Sequence, residues 1–180
     1  QKNRNEILRQ IGAIIEKPDL YKYLTAWENI RIFSRLSGVK ASEKKMMEQL
    51  SMVGLADRAK SKVKTYSQGM KQRLGLACAL IHDPRLIILD EPFSGLDPVN
   101  SNLIKDEIFN LARNGATIIF STHRMEQVEE ICDHIALVNK GSKILDGTVK
   151  QVKQDFKENL FSIGTEQMPG LNGNAPFELV

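Results

Sequence analysis

Ile87-Ile88-Leu89-Asp90-Glu91-Pro92 runs an apolar segment straight into two adjacent carboxylates and a proline. Two acids in that place can do distinct chemistry. A first carboxylate at a strand end can hold a hydrated Mg²⁺, and a second can take a proton from a water attacking a phosphoryl group. The plainer reading is that both acids cap the turn at Pro92, and for the hexapeptide alone it is the better one. Four neighbouring features reverse that balance. Ser67-Gln68-Gly69 opens a helical stretch, where free backbone N–H groups and the positive dipole end favour a phosphate. On its own such a Ser-x-Gly is an ordinary helix cap. Ser94-Gly95-Leu96-Asp97 makes a tight turn directly after the acids. His123 follows another apolar run, 116–121, from where it can donate a hydrogen bond to a phosphate oxygen; a lone histidine there is more often structural. Glu16-Lys17-Pro18 ends the first apolar run.

The elements that must position these residues alternate. Residues 11–15 read as a short strand. Thr25-Ala26-Trp27-Glu28 is a T-x-x-E capping box opening a helix that runs toward Gly38. Ser42 starts a second helix, with Met46, Leu50 and Val53 at helical spacing and Gly54 as its stop. Ser67 starts a third, with Met70, Leu74, Ala77, Cys78 and Ile81 recurring, and Pro84 forbids continuation. Leu86–Asp90 is apolar until its last residue, as a strand in the middle of a parallel sheet is. Asp97-Pro98 opens a helix with Ile104, Ile108 and Leu111 on its inner face, and Gly115 ends it. Residues 116–121 form a further strand, Met125–Ile131 a helix, and 135–139 and 143–147 two strands joined by a tight turn.

This order is that of an α/β protein. In open parallel sheets ligands bind beyond the carboxyl ends of the strands, so Glu16, Asp90, Glu91 and His123 are expected along one edge. Trp27 is either a core residue of an amphipathic helix or a contact for a partner. After about Val152 the pattern weakens.

Composition sets outer bounds. The chain has 180 residues and a net charge of +3, too mild to argue for nucleic acid. Cys78 and Cys132 form no CxxC pair, which suits a reducing compartment and offers no metal framework. No apolar run approaches the ~20 residues that span a bilayer.

Taken together these motifs resemble the nucleotide-binding domain of ATP-binding cassette (ABC) transporters. Tyr66-Ser67-Gln68-Gly69-Met70 resembles the LSGGQ signature, departing from it at Tyr66, Gln68 and Met70. Leu86–Pro92 resembles Walker B, Ser94–Asp97 the D-loop, and His123 the switch histidine. The resemblance covers about residues 11–146. It implies a phosphate-loop NTPase-like fold: a mostly parallel sheet with helices on both faces, and a helical subdomain at about 25–82.

It further implies ATP and Mg²⁺ as cofactors, Glu91 and His123 as catalytic residues, and Asp90 and Glu16 near the metal. Ser67, Gln68, Gly69 and Asp97 then bind nucleotide. The implied partners are a second ABC ATPase domain, in a homodimer, and transmembrane permease subunits, at the cytoplasmic face of the membrane. No nucleic acid is expected. The surface meeting the permease is expected to include residues 16–23 and the helix after Thr25.

Two departures bear on function. The family usually has Gln where Glu16 stands; a glutamate there resembles transporters that remove lantibiotic and bacitracin-type peptides. Asp90–Asn100 and Gly115–Glu130 resemble related exporters with a small extra C-terminal domain, including sodium-efflux types. An ABC-2-like exporter is therefore expected, with its cargo open. The second departure is that no G-x-x-x-x-G-K-[ST] occurs. By family order it precedes Gln1, so roughly sixty residues, including a strand beside Leu86–Asp90, are expected upstream.

On that reading 1–150 is a partial ABC ATPase domain, 151–180 begins an accessory segment, and these residues alone do not hydrolyse ATP. Other classes share the motifs. Chromosome-maintenance and DNA-repair ATPases add long heptad-repeat coiled coils, which are not visible here. A translation-factor ABC protein has two cassettes. A degenerate cassette that only dimerises is less consistent with Glu91 and His123 both being present.

Overall fold

Thr25 and Glu28 form the expected capping box. Glu28 N–H donates to Thr25 Oγ1 at 3.1 Å, and Thr25 N–H donates to Glu28 Oε2 at 2.8 Å. These two bonds satisfy donors that a helix start leaves free; the Thr25 N–H, together with the Thr25 hydroxyl, which also donates to Glu28 Oε2, holds the Glu28 carboxyl below its ordinary value. The computed structural model describes residues 2–15 and 18–156. They fall into two compact units, Gln1–Cys132 and Asp133–Val180.

The first unit contains α1 (Lys2–Leu8), β1 (Ile11–Ile14), α2 (Ala26–Leu36), α3 (Glu43–Met52), α4 (Gln68–Leu80), β2 (Leu86–Asp90), α5 (Pro98–Arg113), β3 (Thr117–Ser121) and α6 (Met125–Ile131). Periodicity and caps anticipate all of these except α1. Two short 3-10 turns, Ala56–Arg58 and Val63–Thr65, lie between α3 and α4.

Two apolar clusters share α4. Leu74, Ala77 and Cys78 of α4 join Ile30, Leu50, Val53, Val63 and Tyr66 in the core of the helical lobe. Leu76 and Leu80 of the same helix join Ile14, Ile87, Leu89, Phe93, Ile104 and Ile108 beneath the sheet. A helix buried on both sides is expected to be apolar nearly all round, as α4 is from Leu74 to Leu80. Its fit against β1 is close. A Cβ on Gly12 would lie 2.5 Å from the Ala79 carbonyl oxygen, and one on Gly75 would lie 2.4 Å from Pro18 Cβ. Trp27 is half-buried and packs on the lobe core, which favours its core reading.

The sheet is parallel with order β1-β2-β3. Here the structure departs from the expectation at one point. Leu86–Asp90 is already paired on both sides, so no place beside it is open to a further strand; the free edges belong to β1 and β3. Among the described residues α4 and α5 pack on the face that carries Ile14, Ile87 and Leu89. Both crossovers step one strand in the same direction. Right-handed connections then put α4 and α5 on the same side. The opposite face carries Ala13, Ile88 and Ile119, the last 56% exposed.

The second unit holds an antiparallel pair, β4 (His134–Asn139) and β5 (Ser142–Thr148), followed by α7 (Val149–Asp155). Lys140 and Gly141 take positive φ in the tight turn. Asp146 accepts from His134 Nε2 and Lys143 Nζ, each at 2.7 Å. The expected division at 150/151 falls inside α7, and residues 157–180 of the expected accessory segment lie outside the described residues.

Candidate functional site

Asp90 is the last residue of β2 and pairs in register with Ser121, the last of β3. Parallel pairing of two apolar strands of equal length therefore brings their polar ends together. Ser121 Oγ donates to Asp90 Oδ1, and the Ser121 carbonyl accepts Glu91 N–H at 3.1 Å. Glu91 has φ of 46°, a left-handed backbone that costs a non-glycine residue about 1–2 kcal/mol. Ser94 N–H donates to the Glu91 carbonyl at 3.0 Å and holds the turn. Strain of this kind, fixed by its surroundings, turns a side chain out of the strand line and is concentrated at functional sites.

The Glu91 carboxylate meets the segment that follows β3. His123 N–H donates to Glu91 Oε1 at 3.1 Å, and His123 Nδ1 lies 2.6 Å from the same oxygen. With Nδ1 protonated, both donors fall on Oε1 and leave Oε2 for a water. The sequence reading aims His123 at a phosphate oxygen. Here its Nδ1 is engaged by Glu91 and only Nε2 is free for that role. Asp90, Glu91 and His123 are thus brought together, as expected of strand ends in a parallel sheet.

The signature segment is built differently. Ser67 caps α4, its Oγ accepting from Met70 N–H at 3.2 Å. The N–H groups of Gln68 and Gly69, in the first turn, have no intrahelical acceptor. Ser67 and Gln68 are exposed. The departures from LSGGQ have packing reasons at two positions. Tyr66 is buried, its hydroxyl donating to the Arg58 carbonyl at 2.7 Å, and Met70 packs on the lobe core. Gly69 sits against the turn after the acids: a Cβ there would lie 3.2 Å from Leu96 Cδ2 and 3.6 Å from the Gly95 carbonyl oxygen.

Asp97 caps α5, accepting from Asn100 N–H at 3.0 Å and from the Asn100 amide. These bonds hold its carboxyl below the ordinary range. That carboxylate is committed to the cap, so what it gives a ligand is the shape of the turn. Glu16 lies outside the described residues.

Sequence reasoning missed two residues. Ser121 was passed over as a strand residue; its signal was its place at the end of an apolar run, in line with Asp90. Arg73 is nearly buried and reaches from α4 to the end of α3, donating to the Val53 and Gly54 carbonyls at 2.7 and 3.2 Å. Burial pushes its guanidinium down, and the charge of Asp97 opposes that. It closes the C-terminus of α3.

The donor set suits Mg²⁺ bound to substrate phosphates. Among the described residues no group of three or more His, Cys, Asp or Glu could hold a metal on its own. Mg²⁺ needs only one or two carboxylates when phosphates and waters complete its shell, and Asp90 supplies one. Neither cysteine is in a disulfide, and burial pushes the Cys78 thiol far up.

Comparison with known proteins agrees. The ABC transporter family model matches residues 1–94. The chain is 44% identical over 156 residues to the uncharacterized ABC transporter ATP-binding protein YhcH of Bacillus subtilis, covering 86% of this chain and 50% of that one. It is 40% identical over 161 residues to the lantibiotic transport ATP-binding protein SrtF of Streptococcus pyogenes, covering 89% and 67%. It is 40% identical over 142 residues to the linearmycin resistance ATP-binding protein LnrL of Bacillus subtilis, covering 78% and 46%. A solved structure described as the ATP-binding subunit of an ABC transporter superposes with a TM-score of 0.76 at 31% identity, over 86% of this chain and 65% of that one. The chain belongs to the ABC transporter family. It spans about half the length of the first curated relatives it matches.

Proposed function

We propose that these residues are part of the ATP-binding and ATP-hydrolysing subunit of an ABC exporter. The observation that carries this is the cluster at the strand ends: Asp90 bonded by Ser121, and Glu91 turned out of line and bonded by His123. In this reading Mg²⁺, held through Asp90, supplies charge neutralisation to the phosphates. Glu91 Oε2 takes the proton of the attacking water. Protonated on both ring nitrogens, His123 fixes the Glu91 carboxylate through Nδ1–H and donates Nε2–H to a phosphate oxygen. Ser67, Gln68 and Gly69 present backbone N–H groups and the α4 dipole to a phosphate, with Asp97 shaping the turn beside Gly69. Glu16, outside the described residues, is assigned a role at the metal and in coupling the site to the partner.

The 180 residues contain no G-x-x-x-x-G-K-[ST]. Without that phosphate-binding loop, in this reading, these residues alone do not hydrolyse ATP. A second cassette, in a homodimer, and membrane permease subunits are the partners. The work is then done at the cytoplasmic face of the membrane; among the described residues no helix is long and apolar enough to cross it. The relatives named for lantibiotic transport and linearmycin resistance support export as the direction. The test is Glu91→Gln in the full-length protein. Loss of phosphate release with ATP binding retained is expected. Turnover near the wild-type rate would overturn the assignment of the base.

A further inference from the structure

Helix α6 inverts the usual pattern of burial. Its buried residue is the polar Gln127, while Met125 at its start is 54% exposed. A buried amide costs free energy unless it is bonded, and an apolar side chain in its place would not carry that cost. Gln127 is bonded, and its partner stands next to His123. Thr122 Oγ1 donates to Gln127 Oε1 at 3.2 Å and accepts from Arg124 N–H at 3.2 Å.

The second of these bonds closes a local turn, in which a threonine hydroxyl accepts from the backbone two residues on. His123 is the residue that the turn encloses. The chain is fixed on either side of it. Before the turn, Ser121 pairs with Asp90, and its carbonyl accepts Glu91 N–H at 3.1 Å. After it, the Arg124 carbonyl accepts from Gln127 N–H at 3.1 Å. Ile131 seats α6 on the sheet core, and Glu130 pairs with Lys105 of α5. His123 itself has 77% of its side chain exposed, so packing does not hold it. Its N–H and Nδ1 nonetheless converge on Glu91 Oε1, at 3.1 and 2.6 Å.

We propose that Thr122 and Gln127 are positioning residues for the Glu91–His123 pair. This role rests on the reading of Glu91 as the base. Gln127, anchored in α6, takes the Thr122 hydroxyl proton as its hydrogen bond and leaves the hydroxyl oxygen to Arg124 N–H. The turn closed in this way presents both His123 donors to one oxygen of Glu91 and leaves Oε2 for the water. Thr122 and Gln127 act through His123, so they govern kcat rather than ATP affinity. A misplacement of about 1 Å at such a site costs up to ~10²-fold in rate.

The experiment compares Thr122→Val, Thr122→Ser and Gln127→Leu in the full-length protein, by steady-state ATP turnover and by equilibrium ATP binding. Valine keeps the branched shape and removes the hydroxyl; serine keeps the hydroxyl. Thr122→Val should lower kcat about ten- to a hundredfold at unchanged ATP affinity. Gln127→Leu should lower it less, because the bond to Arg124 remains. The double variant should be no slower than Thr122→Val, since both changes act through one hydroxyl. Thr122→Ser should restore most of the turnover. Equal losses with valine and serine, or a loss of kcat matched by a loss of folded protein on circular dichroism, would mean support of the fold alone and overturn the proposal. So would turnover near wild type in Thr122→Val while Glu91→Gln is inactive, which would leave the base in place without these supports. Turnover retained in Glu91→Gln would overturn the base and this role with it.

Discussion

The strand-end cluster and the signature turn sit on the same unit and are built on opposite principles. At the strand ends each functional group is bonded to another: Ser121 to Asp90, His123 to Glu91, and Glu91 N–H to the Ser121 carbonyl. At the signature turn Ser67 is used locally as a cap, while the first-turn N–H groups of α4 face outward. One half of the chemistry is preorganised by its own chain. The other is an acceptor site for something brought to it. Preorganised groups lose activity when their internal bonds are cut, whereas an open turn loses it only in the presence of what it receives.

The largest expected effect is at the closed half. Glu91→Gln in the full-length protein should lower ATP turnover by ~10²–10⁴ without lowering ATP affinity, because a carboxamide keeps the shape but cannot take a proton. Single-turnover hydrolysis and equilibrium nucleotide binding measure the two separately.

The two halves are connected by α4, and Gly75→Ala tests that link. The added methyl would press on Pro18, and overpacking of this kind costs about 1–3 kcal/mol. A urea midpoint unchanged from wild type would show that Pro18 moves freely and that α4 is not held there.

Ser121→Ala removes one bond to Asp90 without touching Glu91's backbone acceptor. Turnover should fall roughly tenfold, the worth of one hydrogen bond to a charged group. Mn²⁺ binding followed by electron paramagnetic resonance should weaken with it; an unchanged metal affinity would take Ser121 out of the metal's support.

At the open half, Ser67→Ala should cost about 1 kcal/mol of stability through loss of the cap. Its effect on turnover should appear only when a second cassette is present. An equal loss in monomer and dimer would break the contrast between the two halves.

The smallest effect concerns pH. His82 Nε2–H donates to the Ile11 carbonyl at 3.1 Å, while its Nδ1 is buried without a partner. Burial therefore pushes its pKa below the ordinary 6.5. The unfolded chain then binds the proton more readily than the folded one. This contribution is full above about pH 6.5 and is lost as pH falls from there toward the depressed folded value. Denaturant midpoints at pH 7.5 and 5.5 should differ more in the wild type than in His82→Gln. Equal differences would exclude His82 as their source.

Much of this was legible in the sequence because it is local. The capping box at Thr25, the Ser67 and Asp97 caps, the stops at Gly54 and Gly115 and the apolar run into Asp90 need only a few consecutive residues, and each is found where periodicity and capping put it. The nature of the site was equally legible, since acids, glycines and a histidine at strand ends and turns have few other uses in that order.

Tertiary structure decided what depends on partners distant in sequence. Which oxygen His123 meets, that Ser121 supports Asp90, and that Arg73 closes α3 all follow from strand register and from α4 lying between two cores. The side of the sheet on which α4 and α5 pack belongs to the same class. The order of the strands and the hand of their crossovers fix which side the helices take, and no stretch of sequence carries that information alone.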